Sequence, residues 1–220
     1  MNRIIVGVDE AGRGPVIGPL VICAYAVDAD KEAELKKTGV KDSKMLSALQ
    51  REKLAVELKK GIYVLKSATA AEITEVMQRK VSLNEYEAQV IGELLTKLEK
   101  TTAFQTVYVD SPDPIPSKFA TRIRKYYAGN AEIVAENKAD VTYPVASAAS
   151  IVAKVERDAE IRKIEKIIGE FGSGYPADPN TKKFLEKHHT NKNAQEYIRH
   201  EWATVKNLKE KAQQKGLSEF

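Results

Sequence analysis

Four carboxylates follow predicted strands, and their order along the chain is Asp9, Glu10, Asp110 and Asp140. Each stands at, or shortly beyond, the end of a short apolar run rich in β-branched residues. If these strands are neighbours, the four acids meet in the crevice outside the sheet, where they repel one another unless cations are present. Oxygen-only ligands suit Mg²⁺ or Mn²⁺, and two such ions about 4 Å apart can stabilise both the attacking and the leaving oxygen of a phosphodiester.

Each acid taken alone has a simpler interpretation. Acids at strand ends are often solvated or cap a following helix, and Asp140 could act only as a helix N-cap. Zinc is not expected, because the sequence has one cysteine and all three histidines lie between residues 188 and 200, outside the predicted sheet. The arrangement of the four acids therefore favours a hard divalent cation over zinc.

A glycine-rich loop, Gly12-Arg13-Gly14, follows the first two acids. Glycine lets the backbone come close to a ligand, exposed N–H groups can hold an anion, and arginine makes charge-assisted bonds to phosphate. A tight turn with a surface arginine explains the loop equally well. The spacing matches neither the P-loop nor the dinucleotide-binding fingerprint.

The predicted elements place the acids in an α/β fold. Strands are predicted at residues 4–8, 20–27, 62–68, 106–109 and 132–135. Helices are predicted at 47–60, 83–98, 117–126, 144–171 and within 178–211. The strands come first as a meander and then as strand–helix–strand units, which predicts a mixed five-stranded sheet flanked by helices, with a C-terminal helical appendage.

Composition indicates an ordinary globular protein of 220 residues, with 43% hydrophobic and 30% charged residues. A single cysteine, Cys23, excludes an internal disulfide and favours a reducing compartment. No apolar run approaches the ~20 residues of a membrane span, and the start of the chain does not resemble a signal peptide. We therefore expect a cytoplasmic protein with no membrane association.

The net charge of +4 is concentrated near the C-terminus. Residues 181–220 contain nine Lys or Arg against five Asp or Glu, so this segment alone accounts for the excess. A basic segment on a balanced body suits a polyanionic partner. Charge alone favours the simpler interpretation, a solvated lysine-rich helix face.

An ordered set of motifs resembles ribonuclease HII, the type 2 ribonuclease H family. In chain order these are DEAGRGP at 9–15, DSKxL at 42–46, YVD at 108–110, KAD at 138–140, YP at 143–144, SAAS at 147–150, GSGYP at 172–176, DP at 178–179 and RxxWxT at 199–204. The last pattern is typical of archaeal and eukaryotic members. The resemblance covers residues 4 to about 205, which is nearly the whole chain.

This resemblance implies a ribonuclease H-like fold and an endonuclease that hydrolyses the RNA strand of RNA–DNA hybrids. It also implies incision at single ribonucleotides embedded in DNA, with 3′-hydroxyl and 5′-phosphate products. The four catalytic and metal-binding residues it implies, for two Mg²⁺ or Mn²⁺ ions, are Asp9, Glu10, Asp110 and Asp140. The expected partner is an RNA–DNA hybrid or a ribonucleotide-containing duplex, bound by a monomer.

The resemblance also implies substrate-binding residues. Gly12, Arg13 and Gly14 form the loop that senses the 2′-hydroxyl at the scissile junction, and Tyr175 packs against the sugar on the DNA side. Two residues near the substrate backbone complete the set, Lys44 and Lys138.

The resemblance has two departures. Asn137 stands where many archaeal relatives have histidine, which removes a titratable group, and Met45 stands where lysine is common. Trp202 is interpreted as a packing anchor for a terminal helix.

The predicted organisation is a catalytic domain at 1–177, a helical segment at 178–212 and a flexible tail at 213–220. In the tail, Gln214, Leu217 and Phe220 fit the Q-x-x-h-x-x-aromatic pattern of segments that dock on the sliding clamp of replication. A chance match at a frayed terminus is the alternative, because a second aromatic residue is missing.

Three alternatives fit the sequence less well. Ribonuclease HIII usually carries an extra N-terminal domain, whereas Asp9 lies almost at the start of this chain. A non-catalytic nucleic-acid-binding relative would lack one of the four acids. A phosphatase with an aspartyl nucleophile requires a DxD motif, but the sequence reads Asp9-Glu10-Ala11.

Overall fold

The computed structural model describes residues 3–40 and 46–218. Within them, a five-stranded sheet of order β3-β2-β1-β4-β5 is flanked by helices, which confirms the predicted fold class. The strands are β1 (Ile4–Ala11), β2 (Leu20–Asp28), β3 (Ile62–Ala68), β4 (Thr106–Asp110) and β5 (Glu132–Glu136). The helices are α1 (Glu32–Lys37), α2 (Ala48–Leu58), α3 (Ala70–Gln78), α4 (Leu83–Glu99), α5 (Pro116–Arg124), α6 (Ala139–Thr142), α7 (Pro144–Ile168), α8 (Pro179–His188), α9 (Lys192–Gln195) and α10 (Ala203–Ser218).

Strand β1 lies at the centre of the sheet. It pairs antiparallel with β2, where Asp9 faces Cys23, and parallel with β4, where Val8 faces Val109. Strand β4 in turn pairs parallel with β5. Asp9 directly follows Val8, and Asp110 directly follows Val109, so the two acids are neighbours on adjacent parallel strands. They lie toward the carboxyl ends of these strands, where ligands bind in α/β sheets.

The first turns of α7 pack directly on β1. A Cβ atom at Gly7 would lie 2.2 Å from the carbonyl carbon of Val145 and 2.3 Å from the nitrogen of Ala146, so only glycine fits there. Ala148 and Ala149 in the same helix are fully buried. These small residues bring the helix close to the sheet, as the sequence predicts, and fix its side chains beside the end of β1.

The chain forms two compact units. Unit 1 comprises Met1–Ala11, Val21–Ser67 and Ser82–Arg157, and unit 2 comprises Gly12–Leu20, Ala68–Val81 and Asp158–Phe220. The sheet belongs to unit 1, while unit 2 has its own apolar cluster, which includes Ile17, Phe171, Leu185, Ile198 and Val205. These units divide the chain at different positions from the predicted domains, whose boundaries stay predictions.

Helix α10 differs from the predicted flexible tail. It continues to Ser218, so residues 213–218 are helical. The stretch reads Gln-Gln-Lys-Gly-Leu-Ser, in which Gln, Lys and Leu favour helices, Gly216 does not, and no proline occurs. The side chain of Leu217 and all of Phe220 lie outside the described part of the chain.

One helix was not expected from the sequence, and the length and apolar character of the helices bear on membrane insertion. Helix α3, over Ala70–Gln78, was not predicted. In the residues described, no helix is both long and apolar enough to cross a membrane.

Candidate active site

Asp9 is a buried carboxylate near the carboxyl end of β1, with 5% of its surface exposed. The backbone N–H of Glu10 donates to its Oδ1 at 2.7 Å. Burial and the nearby negative charge of Asp110 raise the pKa of Asp9 to about 7, although the Ser150 hydroxyl, the Glu10 N–H and Lys154 act in the opposite direction. Asp9 and Asp110 therefore lie close enough to repel each other, as the strand pairing requires.

Asp110 is joined to the segment that carries Asp140. The backbone N–H of Ala139 donates to Oδ1 of Asp110 at 2.8 Å. Asp140 follows in the first turn of α6 and is 4% exposed. Lys138, which precedes this helix, has left-handed backbone angles (φ 63°, ψ 38°). The structure thus places Asp9 beside Asp110. It also joins the segment that carries Asp140 to Asp110 through a hydrogen bond.

Glu10 is placed differently. It is half-buried and neighbours Asp9 on a regular stretch of β1, so the two side chains leave the strand on opposite faces. Across the described ranges, no three His, Cys, Asp or Glu side chains are close enough together to hold a metal ion. The assignment of all four acids as metal ligands therefore stays a prediction.

The donor set of this site fits a hard divalent cation. Asp9, Asp110 and Asp140 offer carboxylate oxygens only, which are ligands that Mg²⁺ and Mn²⁺ accept. Burial, and then the negative charge of Asp110, raise the pKa of Asp9 although Lys154 acts against them. A divalent cation would supply positive charge and keep both carboxylates ionised.

Asn137 fixes the loop that follows Asp110, a role the sequence did not reveal. Its Nδ2 donates to the carbonyl of Ser111 at 2.8 Å and to the carbonyl of Asp113 at 2.9 Å. A neutral imidazole has a single N–H and could not make both bonds. The asparagine noted as a departure from the family therefore links the β4 loop to the turn before Asp140.

The glycine-rich loop and Tyr175 meet within unit 2. Gly12 has a φ of 86°, which favours glycine. A Cβ atom at Gly14 would lie 3.1 Å from Cε1 of Tyr175, so the ring packs on the backbone of the loop. Tyr175 is 46% exposed, and this leaves part of the ring available to a ligand. Three predicted substrate-binding residues, Gly12, Gly14 and Tyr175, thus belong to one local arrangement, with Arg13 between the glycines.

Asp178 stabilises the turn that carries Tyr175. Its Oδ2 accepts from the N–H of Ser173 at 2.6 Å, and its Oδ1 accepts from the N–H of Asn180 at 2.8 Å, which caps α8. Hydrogen bonds from Ser173, followed by those from Asn180, lower the pKa of Asp178 to about 2. The carbonyl of Gly174 accepts from the N–H of Val16 at 2.7 Å. The turn is therefore attached to the segment that follows the glycine-rich loop.

The two predicted lysines and Trp202 lie in different places. Lys138 is exposed, and Lys44 lies outside the described residues. Trp202 packs against the apolar cluster of unit 2, which confirms its predicted role as a packing residue. Its Nε1 also donates to the carbonyl of Gly14 at 3.2 Å, a contact that the sequence did not indicate.

Comparisons with known proteins agree over almost the entire chain. The family model described as Ribonuclease HII matches residues 6–205. Ribonuclease HII of Pyrococcus abyssi is 45% identical over 215 residues, which cover 97% of this chain and 95% of that protein. The crystal structure of the ribonuclease H2 from Pyrococcus horikoshii OT3 has a TM-score of 0.83 at 42% identity, covering 94% of this chain and 98% of that chain. A chain in the structure of the PCNA:RNase HII complex from Archaeoglobus fulgidus has a TM-score of 0.82 at 38% identity, covering 93% and 96%.

Proposed function

Because the chain belongs to the ribonuclease HII family, we propose that it hydrolyses the RNA strand of RNA–DNA hybrids and also incises DNA at single embedded ribonucleotides. The observation that carries the proposal is the close approach of Asp9 and Asp110 at the carboxyl ends of β1 and β4. A buried acid, Asp9, beside a half-buried one, Asp110, is suited to phosphodiester chemistry with divalent cations. The expected products have 3′-hydroxyl and 5′-phosphate ends.

The chain's carboxylates would hold two Mg²⁺ or Mn²⁺ ions, with Asp9, Glu10, Asp110 and Asp140 as the ligands. When bound, the ions supply activation of the attacking water and stabilisation of the leaving oxygen. The N–H of Ala139 holds one oxygen of Asp110 in a fixed orientation, and the N–H of Glu10 does the same for Asp9. No histidine occurs before residue 188, so the sheet supplies no imidazole base.

Selection of RNA over DNA is assigned to the loop of Gly12, Arg13 and Gly14. Backbone groups of such a loop can contact the 2′-hydroxyl, which is the group that distinguishes the two nucleic acids. The contact between Gly14 and the ring of Tyr175 supports a joint surface for the ribose and the neighbouring sugar. Near the substrate backbone we assign Lys44 and Lys138, of which Lys138 is exposed.

The proposal includes a monomer in the cytoplasm. Cys23 is buried in β2, and a reducing compartment suits a protein with this one thiol. Desolvation raises the pKa of Cys23, so that the thiol stays protonated and unreactive.

Cleavage of matched duplexes tests the proposed activity. One end-labelled sequence is prepared as RNA–DNA hybrid, RNA–RNA duplex and all-DNA duplex, and each is incubated with Mg²⁺. Only the labelled RNA of the hybrid should be cut at internal positions. Equal cleavage of the RNA–RNA duplex, or none of the hybrid, would contradict the proposal.

A second proposed function is binding to the replication sliding clamp. The observation that favours it is the likeness to a chain in the PCNA:RNase HII complex from Archaeoglobus fulgidus. The residues assigned to the contact are Gln214, Leu217 and Phe220, and Gln214 is exposed on α10. Short apolar segments of this kind bind by placing their anchors in a groove of the partner.

Calorimetry with an archaeal sliding clamp tests this contact. We expect the full chain to bind, and both a deletion of residues 213–220 and the triple variant Gln214→Ala, Leu217→Ala, Phe220→Ala to lose binding. Hydrolysis of free duplexes should be unchanged in both variants. Equal clamp affinity with and without the segment, or no affinity of the full chain, would rule the contact out.

A further inference from the structure

Arg199 is a fully buried arginine in unit 2, with 0% of its surface exposed. Its guanidinium donates to backbone carbonyls at both ends of residues 12–18, the segment that begins with the glycine-rich loop. The bonds are Nη2 to Gly12 O at 2.6 Å, Nη1 to Arg13 O at 2.8 Å and Nε to Gly18 O at 3.0 Å. A buried charge is unfavourable unless its donors meet acceptors, and the planar guanidinium suits several carbonyls at once. The buried guanidinium therefore holds the loop through specific hydrogen bonds to its carbonyls.

The main chain around Arg199 also forms backbone hydrogen bonds with the same segment. The N–H of Arg199 donates to the carbonyl of Val16 at 2.8 Å, and Ile198 forms a β-bridge with Ile17. The N–H of Gly18 donates to the carbonyl of Tyr197 at 2.9 Å. These backbone bonds fix the position of the Cα atom of Arg199 relative to the segment. The guanidinium group is therefore held within reach of the loop carbonyls.

Trp202 completes the arrangement. Its Nε1 donates to the carbonyl of Gly14, and the guanidinium of Arg199 lies 4.9 Å from the centre of its ring. The carbonyls of three successive residues, 12 to 14, thus accept hydrogen bonds from the Arg199–Trp202 pair.

These bonds determine where the loop directs its N–H groups. In a planar trans peptide, the carbonyl and the following N–H point in opposite directions. The carbonyls of Gly12 and Arg13 point to Arg199, so the N–H groups of Arg13 and Gly14 are directed away from it. Successive N–H groups in such a loop can receive an oxygen acceptor.

We infer that Arg199, supported by Trp202, is a positioning residue that presets the N–H groups of Arg13 and Gly14 to receive a substrate oxygen at the scissile ribonucleotide. The inference rests on the proposed function for the identity of that substrate. It assigns Arg199 no contact with the nucleic acid, because the side chain is buried behind the loop. Its effect is on recognition by the loop.

Variants of Arg199 separate positioning from stability. Arg199→Met keeps much of the volume and removes every donor, and Arg199→Ala leaves a cavity that free guanidinium ion can enter. Val205→Ala is the matched control, because Val205 is fully buried in the apolar cluster of unit 2 and supplies none of these hydrogen bonds to the loop. Each protein is tested for thermal unfolding, for amide hydrogen exchange of residues 13 and 14 by NMR, and for cleavage of a duplex with one ribonucleotide.

We expect Arg199→Met to lower kcat/KM on that duplex by at least 100-fold, while binding to an all-DNA duplex changes by less than threefold. Amide exchange at Arg13 and Gly14 should accelerate at least tenfold in Arg199→Met and remain unchanged in Val205→Ala. Millimolar guanidinium chloride should restore at least fivefold activity to Arg199→Ala and none to Val205→Ala. If neither Arg199 variant folds, Trp202→Phe should still show faster exchange at Gly14 and a several-fold loss of cleavage.

Losses that follow thermal stability alone, equally in Arg199→Met and Val205→Ala and without guanidinium rescue, would overturn the inference. Unchanged exchange at residues 13 and 14 in every variant that folds would also overturn it. The exchange measurement needs no substrate. If the wild-type protein cleaves no duplex, the proposed function fails, whereas the exchange result still decides whether Arg199 orders the loop.

Discussion

The backbone N–H of Ala139 donates a 2.8 Å hydrogen bond to Oδ1 of Asp110. Asp110 ends β4, while Ala139 opens α6 and directly precedes Asp140. One bond therefore connects the positions of two acids that are 30 residues apart in the sequence. Since Asp9 also interacts with Asp110, the three acids form the part of the molecule on which the proposed chemistry depends.

Replacing either of the connected acids should stop the chemistry and leave the fold intact. We expect Asp110→Asn and Asp140→Asn each to reduce kcat by about 10³-fold or more, because asparagine removes the charge a cation requires and little volume. In Asp110→Asn, an amide oxygen can still accept the bond from Ala139. Turnover of an RNA–DNA hybrid under Mg²⁺ and circular dichroism measure the two effects.

Asp30→Asn is the matched control for these variants, because Asp30 is an exposed acid outside the site. Its turnover should equal that of the wild type. Near-normal turnover by both Asp110→Asn and Asp140→Asn would refute the assignment of the acids.

The sequence predicted the parts of the site that local patterns encode. β-branched runs ending in acids predicted β1 and β4, and the parallel register of these strands brings Asp9 and Asp110 together. The capping box at Ser47 is present, with Gln50 as its partner.

Contacts between distant segments could not be predicted in the same way. Ser82 and Glu85 also fit a capping box, and Ser82 does cap α4, but the carboxylate of Glu85 accepts from Arg122 on α5. The donors of Asn137 and Arg199 reach carbonyls 24 to 187 residues away, which no local spacing reveals. Helix α10 continues past the predicted end although Gly216, which disfavours helix, lies within it.

Tyr175 should contribute through the face of its ring. We expect Tyr175→Phe to change kcat/KM by less than threefold and Tyr175→Ala to reduce it roughly 10- to 100-fold, as stacking contributes ~1–3 kcal/mol. The half-exposed ring that packs on Gly14 is the reason. Steady-state kinetics on a duplex with one ribonucleotide gives both values. Equal losses in the two variants would instead indicate a role for the hydroxyl group.

Lys138 allows its charge and its backbone strain to be separated. Lys138→Ala and Lys138→Gly both remove the ammonium group, but only glycine adopts the left-handed angles at residue 138 without strain. We expect Lys138→Gly to be more stable than Lys138→Ala by about 1 kcal/mol. Both should raise KM similarly and lower the slope of log KM against log salt by about one, as expected for one lost phosphate contact. An unchanged KM would exclude Lys138 from substrate binding.

Glu85 makes stability depend on pH in a defined range. Its carboxylate accepts from Arg122 at 2.7 Å, from Lys125 at 3.1 Å and from Tyr126 at 2.9 Å, and these bonds, that of Arg122 foremost, lower the pKa of Glu85 to about 2. A lowered pKa stabilises the fold above the unfolded value of 4.5, and this contribution is lost as the pH falls toward 2.

We therefore expect Glu85→Gln to lower the free energy of unfolding by roughly 1–2 kcal/mol at pH 7 and by progressively less from about pH 5 to pH 2. Urea unfolding across this range measures the difference. Glu93→Gln, which alters an exposed carboxylate on the same helix, should show no such trend. A deficit for Glu85→Gln that is constant with pH would contradict the ionic role of Glu85.

Product mapping on a DNA duplex with one embedded ribonucleotide is the sharpest test of the proposed metal-dependent incision. The reaction is run with Mg²⁺, with Mn²⁺ and with a chelator, for the wild type and for Asp110→Asn. We predict that the wild type with either metal ion makes a single incision at the ribonucleotide, with 3′-hydroxyl and 5′-phosphate ends. With chelator, neither protein should cut the duplex. Cleavage that persists in chelator, or an intact duplex with both metal ions, would contradict the account.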